Sequence, residues 1–282
     1  MTNKPIKLMR RDPEKHPWSE PAKRKLNPSI KVHQFPCLQD NYGYLVHCKA
    51  SQLTACIDTP SAAATQQALA DTGWTLTHIL NTHHHEDHAG GNLELKEKTG
   101  CIIVGPAHDA DRIPGLDIGV DEATGFRFGT HEVEVLNTPG HTTGHIVYRF
   151  RTHNLAFVGD TLFSMGCGRL FEGTPLQMWA SLKKIMAWPD HTLMHCAHEY
   201  TAANADFALT IEPDNIELIS RASRVAELRA SNLPTVPTSL KIEKLTNPFL
   251  RPNSEEIRNS LNMIDASNAE VFTEIRKRKD VF

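Results

Sequence analysis

The sequence predicts an α+β fold, a strand-rich part followed by a helical one, on three observations. Short apolar segments recur between turn residues from residue 30 to about 200, the pattern changes to a 3.6-residue period beyond that, and the run THHHEDHAGG, residues 82–91, ends an apolar stretch. At 282 residues the chain is long enough for one large domain or two modest ones. Strands are expected at 30–32, 42–47, 53–58, 75–81, 101–104, 132–137, 145–150, 155–159 and 192–196, each apolar and bounded by Gly, Pro, Asn, Asp or Ser. Helices interrupt them. One follows Ser61 and ends near Gly73, one covers 92–98, and one is opened by Thr174-Pro175-Leu176-Gln177, a capping box with Pro at the first helical position, and is ended by Trp188-Pro189. Beyond residue 200, Asp214-Asn215-Ile216-Glu217 reads as a second capping box opening a helix towards Asn232. A two-proline linker at 233–239 and helices near 255–264 and 268–279 complete the pattern.

Composition narrows the class. The net charge of −3 implies no nucleic acid, and no stretch approaches the roughly 18 apolar residues of a membrane span, so no membrane partner is expected. Residues 1–29 carry a basic cluster, five prolines and no apolar core for a signal peptide, and are read as a mobile extension. Six cysteines without a CxxC or framework spacing suit free thiols in the reducing cytoplasm.

The run at 82–91 places His83, His85, Asp87 and His88 within six residues. So many nitrogen and oxygen donors are best satisfied by a zinc-like ion at ~2.0–2.2 Å. The spacing His85-Glu86-Asp87-His88 is one residue short of a zincin HExxH helix, and an internal run with apolar flanks is not a tag. In extended backbone His84 and Glu86 point away from the other donors. Later fragments supply matching donors at strand ends: TPGHTTGH with His141, FVGDTLF with Asp160, and CAHEYT with His198. His145 and His195, beside apolar strands, read as structural. Seven donors exceed one tetrahedral site and imply two metals.

These fragments, with GCGRLFEGT, TNPFLRP and the terminal RKRKDVF, resemble the metallo-β-lactamase superfamily and, within it, the hydroxyacylglutathione hydrolase (glyoxalase II) family, over about residues 30–282. The resemblance implies an αββα sandwich over 30–200 as catalytic domain, followed by an α-helical substrate-binding domain over 201–282. It implies that His83, His85 and His141 hold one divalent ion and Asp87, His88 and His198 the other. Asp160 bridges them, and Asp87 and Asp160 are thus catalytic. The ions are expected to be zinc, with iron or manganese as alternatives, and a hydroxide shared between them is the implied nucleophile. No GxSxG elbow competes with that reading.

The implied reaction is hydrolysis of S-(2-hydroxyacyl)glutathione, typically S-D-lactoylglutathione, to glutathione and D-lactate, the second step of methylglyoxal detoxification, in a cytoplasmic monomer. Arg169, Phe171, Tyr200, Arg276 and Lys279 fall where the family grips glutathione. Phe171 stands where some relatives have Tyr and cannot donate a hydrogen bond. Without the resemblance, residues 276–279 would read as a solvated helix end whose cations favour the dipole. A mononuclear-iron sulfur dioxygenase of the same fold is the second reading; such proteins generally lack a long helical segment like 201–282. A scaffold with a broken ligand set is the third, and all seven positions are filled.

Overall fold

Asp40 and its neighbours turn the chain between strands β1 (Ile30–Cys37) and β2 (Asn41–Cys48), which pair antiparallel in register from Ile30 opposite Cys48 to Cys37 opposite Asn41. The computed structural model describes residues 30–282, and the extension expected over 1–29 lies outside the described residues. Strand β3 (Leu53–Ile57) adds antiparallel to β2. Then β4 (His78–Leu80), β5 (Ile102–Pro106) and β6 (Ile118–Val120) add in parallel, giving the order β1-β2-β3-β4-β5-β6. Parallel neighbours need a crossover, supplied by helix α1 (Ala62–Thr72) before β4 and by α2 (Glu86–Ala89) and α3 (Asn92–Thr99) before β5. Helix α1 starts and stops as its sequence demands: Ser61 accepts from the Ala64 amide, and Gly73, at φ 69°, closes the last turn.

The second sheet is built from β7 (Phe126–Phe128), β8 (His131–Asn137), β9 (Ile146–Phe150), β10 (Leu155–Gly159), β13 (Leu193–Cys196) and β14 (Thr238–Ser239), in the order β14-β13-β10-β9-β8-β7. A small hairpin, β11 (Leu162–Phe163) with β12 (Gly166–Cys167), follows β10. Alternation along the strands separates two cores. Tyr44, Val46, Ala55 and Ile57 face the second sheet and meet Phe128, Tyr148 and Phe157, while Leu45 and Cys56 face α1 and α3 with Leu76, Ile79 and Leu95. This is helix, sheet, sheet, helix, the αββα sandwich expected from the sequence.

Helix α4 (Pro175–Met186), opened by the expected Thr174–Gln177 capping box, lays Met178, Trp179, Leu182 and Ile185 against the core. The helical segment comprises α5 (Thr201–Ile211), α6 (Ile216–Ala230), α7 (Leu240–Thr246), α8 (Glu255–Leu261) and α9 (Asn268–Asp280). Its apolar residues Leu240, Phe249, Ile257 and Phe272 belong to the same cluster as the inter-sheet core. Details differ from the sequence expectation. The cap of α6 is Asn215, whose side chain accepts from the amides of Glu217 and Leu218, so Glu217 closes no capping box. The expected linker at 233–239 contributes β14, which pairs with β13 and carries the helical segment into the second sheet.

Candidate metal centre

The expected metal-binding residues follow strand ends, directly or in the short helix beyond: His83 and His85 after β4, Asp87 and His88 in α2, His141 after β8, Asp160 directly after β10 and His198 after β13. The turn into Asp160 requires glycine. Gly159 has φ +46°, and a Cβ there would lie 2.6 Å from Thr82 Oγ1 and 2.8 Å from His145 Nε2. His145 Nε2 accepts the Asp160 amide at 3.1 Å, and its Nδ1 lies 3.0 Å from the hydroxyls of Thr138 and Thr161. His145 therefore holds the Asp160 backbone, and burial keeps it neutral.

The donor atoms converge in overlapping groups. His83, His85 and His141 form one, Asp87, His88 and His198 another, and His83, His88 and Asp160 a third, with the atoms of each group within 4.8 Å of one another. In the first, His83 Nε2 and His141 Nε2 each lie 3.1 Å from His85 Nδ1. Asp160 sits between the groups. Its Oδ2 is 3.4 Å from His141 Nε2 and 3.4 Å from His198 Nε2, and its Oδ1 is 3.4 Å from His88 Nε2. Asp87 Oδ2 is 3.5 Å from both His88 Nε2 and His198 Nε2.

Electrostatics divides the groups. Burial, reinforced by neighbouring imidazoles, holds His83 well below the usual histidine range, takes His85 down to about 4 and lowers His141. Burial also opposes charge on His88 and His198, yet the adjacent carboxylates, Asp160 foremost, raise both. Asp87 and Asp160 are correspondingly held far below the carboxylate range: burial opposes this, and the histidines outweigh it. His88 Nε2 and Asp160 Oδ1 are buried without a hydrogen-bond partner. Unprotonated imidazoles facing one another and orphaned buried donors fit divalent cations, which satisfy such atoms directly.

Outer contacts fix each ring. The Asp58 carboxylate, at the end of β3, accepts from the Thr82 amide and hydroxyl at 2.8 Å each and lies 2.9 Å from His88 Nδ1. His141 Nδ1 donates to the Arg169 carbonyl at 2.8 Å, and His198 Nδ1 lies 2.8 Å from Asp40 Oδ1. His84 turns away from the donors, as its position implies, to Asp109 at 3.1 Å, beside a cluster in which Arg112 pairs with Glu172 and Glu172 accepts from the Thr143 amide at 2.8 Å. Glu86 is exposed. Sequence reasoning missed Asp40, Asn41, Asp58 and Asp109, because Asp and Asn beside turns ordinarily cap backbone, and Glu172, whose partners Arg112 and Thr143 lie far away in the chain.

The residues expected to grip substrate do not form one cluster. Phe171 is 62% exposed and sets its ring edge against His85 and His141 at 5.6 and 5.3 Å. Tyr200 stacks on His198 at 4.7 Å. Arg169 is exposed, its Nε 3.7 Å from the Asp280 carboxylate of α9. Lys279, half-buried, donates to the Ala203 carbonyl at 3.1 Å and lies over Phe207 and Phe282. Arg276 is only 5% exposed and is satisfied internally, donating to the Cys167 carbonyl at 2.9 Å and pairing with Asp280 at 2.8 Å. All six cysteines are buried, free thiols, and burial pushes Cys167 up to about 11 despite Arg276.

Two packed sheets with a histidine and aspartate centre beyond their strand ends define a class, and residues 56–198 match the profile of the metallo-β-lactamase superfamily. Residues 199–282 match the profile described as hydroxyacylglutathione hydrolase C-terminus. The chain belongs to the hydroxyacylglutathione hydrolase family of that superfamily. Hydroxyacylglutathione hydrolases of Maricaulis maris and Methylococcus capsulatus are each 51% identical over 253 residues, covering 90% of this chain and 99% of each relative. Among solved structures, ETHE1 of Myxococcus xanthus aligns with TM-score 0.61 and 25% identity over 89% of this chain and 99% of its own. The BLEG-1 B3 metallo-β-lactamase, at TM-score 0.60 and 20% identity over 78% of this chain and 100% of its own, shares the fold.

Proposed function

We propose that this protein hydrolyses the thioester of S-(2-hydroxyacyl)glutathione, with S-D-lactoylglutathione as the substrate to test first, releasing glutathione and the 2-hydroxy acid. The observation that carries this reading is Asp160, one carboxylate within 3.4 Å of donors from both histidine groups. His83, His85 and His141 would hold one divalent ion, Asp87, His88 and His198 the second, and Asp160 both. We assign zinc, though imidazole and carboxylate also accept iron and manganese. Bound there, paired cations polarise a carbonyl oxygen and acidify water.

The chain's own residues do the rest. Phe171 and Tyr200 form apolar walls against the ligand histidines and shield the reacting carbonyl from bulk water. Arg169 and Lys279 present cations to the glutathione carboxylates at a distance from the thioester. The thiol leaving group, with a pKa of about 8.5, departs without a strong acid, and no side chain is needed to protonate it. We assign residues 30–200 to catalysis and 201–282 to substrate binding. The seven ligand positions lie in one chain, so the monomer is the catalytic unit. Among the described residues no helix is long and apolar enough to cross a membrane.

Metal analysis of the purified protein, run beside thiol release from S-D-lactoylglutathione, tests this. Two ions per chain with turnover are expected. Oxygen uptake with glutathione persulfide faster than thioester hydrolysis would instead favour the dioxygenase reading.

A further inference from the structure

The two histidine groups are anchored from behind in different ways. In the first, His83 Nδ1 lies 3.0 Å from the Thr82 hydroxyl and His141 Nδ1 faces the Arg169 carbonyl, both uncharged partners. In the second, His88 faces buried Asp58, but His198 and Asp87 lean on one hairpin turn, the connection from β1 to β2. Asp40 Oδ1 is 2.8 Å from His198 Nδ1, and its carboxyl is 38% exposed. The next residue, Asn41, donates from Nδ2 to Asp87 Oδ2 at 3.1 Å and to the Asp87 carbonyl at 3.3 Å.

The turn's backbone is pinned independently of those side chains. The Tyr42 amide donates to the Ala197 carbonyl at 2.7 Å, the Glu199 amide donates to the Asp40 carbonyl at 2.9 Å, and Asn41 forms an isolated antiparallel bridge with His198. Tyr42 also donates to Glu199 at 2.8 Å. The side chains of Asp40 and Asn41 are thus free of any task in holding the turn itself.

We propose that the Asp40-Asn41 turn sets the affinity of the Asp87/His88/His198 position and makes it the more exchangeable of the two. This rests on the two-ion reading given above. Asp40 fixes the His198 ring with its Nε2 towards the centre and strengthens it as a donor, while Asn41 fixes the Asp87 carboxylate; both act as positioning residues. Because the Asp40 carboxyl is partly exposed, its contact with His198 competes with water, whereas His83 and Thr82 are fully buried.

The test is a zinc titration of the metal-free full chain against a chromophoric chelator, for the wild type, Asp40→Asn, Asp40→Ala and Asn41→Ala, with thermal melting of each metal-free protein. Wild type should take two zinc ions, the second more weakly. Asp40→Ala and Asn41→Ala should weaken the second ion by about 10–100-fold and leave the first unchanged. Asp40→Asn, which keeps an acceptor but loses the charge, should fall between wild type and Asp40→Ala. The metal-free melting temperatures should fall by only a few degrees, the cost of one or two hydrogen bonds, because the backbone pairs remain. Equal weakening of both ions, unchanged affinities, or metal-free variants that no longer melt cooperatively would overturn the proposal. A wild type that takes only one ion would overturn the two-ion reading itself.

Discussion

An added Cβ at Gly168 would meet the Asp160 carbonyl oxygen at 2.0 Å, a backbone atom that cannot swing aside. Gly168→Ala is therefore expected to displace Asp160 and cost at least tenfold in thioesterase activity together with bound metal. Gly73→Ala, with nothing within 4 Å but φ +69°, should cost about 1–2 kcal/mol of stability and leave metal content alone. Removing the carboxylate outright tests the same point: Asp160→Ala should lose metal and nearly all turnover, whereas His84→Ala, which leaves every ligand in place, should lose tenfold or less. Comparable losses in the two would count against Asp160 as the shared ligand. His195 gives a pH prediction away from the ligands. Burial against Tyr44 and Phe157 takes it down to about 4, so between pH 6.5 and 4 the unfolded chain binds a proton that the folded chain refuses. Stability falls as pH drops through that window, by roughly 3 kcal/mol at about 1.36 kcal/mol per pH unit. His195→Phe should flatten the decline in urea midpoints, measured without metal, relative to wild type. The donors themselves were legible as residues, because His and Asp crowd beside strand ends. Their outer partners were not, since Asp58 and Asp40 look like any strand-end or turn residue until the fold brings them to His88 and His198.

Helix α9 combines two kinds of cation that the sequence presents as one cluster. Lys279 is half-buried, and Lys279→Ala should raise KM about tenfold with little change in kcat, in keeping with a charge-assisted contact worth about 1.5 kcal/mol or more shared by ground and transition states. The wild-type KM should also climb with salt, and less so in the variant. Arg276 lies inside, on the Cys167 carbonyl and Asp280, so Arg276→Ala should lower stability by about 1–3 kcal/mol, seen as a fall in Tm, in addition to any effect on KM. An unchanged Tm would return Arg276 to the role of a substrate contact. Element by element, capped or amphipathic helices were readable: Ser61 and Gly73 delimit α1, and Thr174 with Gln177 opens α4. Helix α5 was not, for Tyr200 provides no side-chain cap and the helix, with Thr201, Asn204, Ala205, Phe207, Ala208 and Ile211 buried, shows no single apolar stripe. The two-residue strand β14 is too short to leave any periodic trace.

At the scale of the whole molecule the helical segment and the sandwich share one apolar cluster, in which Phe272 of α9 stacks on Trp179 of α4 at 5.8 Å. A buried ion pair, Arg221 with Glu243, adds to this, and Glu243 also accepts the Met165 amide at 2.9 Å within the β11–β12 hairpin. Residues 30–200 expressed alone are therefore expected to aggregate, and the full chain to melt in a single transition. A soluble, metal-loaded fragment would show instead that the catalytic part folds independently. The sequence marked the change from strands to helices near residue 200 but gave no sign that the two parts join, because that junction depends on contacts between residues far apart in the chain.

The hairpin that follows Asp160 is held from outside by Glu243, by Asn247, which donates to the Phe163 and Gly166 carbonyls at 3.2 and 3.0 Å, and by Arg276. All three residues come later in the chain than every metal ligand. During synthesis from the N-terminus, the seven donors therefore leave the ribosome before the groups that fix their geometry. The nascent chain exposes its histidine-rich segment before the hairpin has its outer supports, so ribosome-bound chains that stop short of Glu243 are expected to take up zinc more weakly than the full chain.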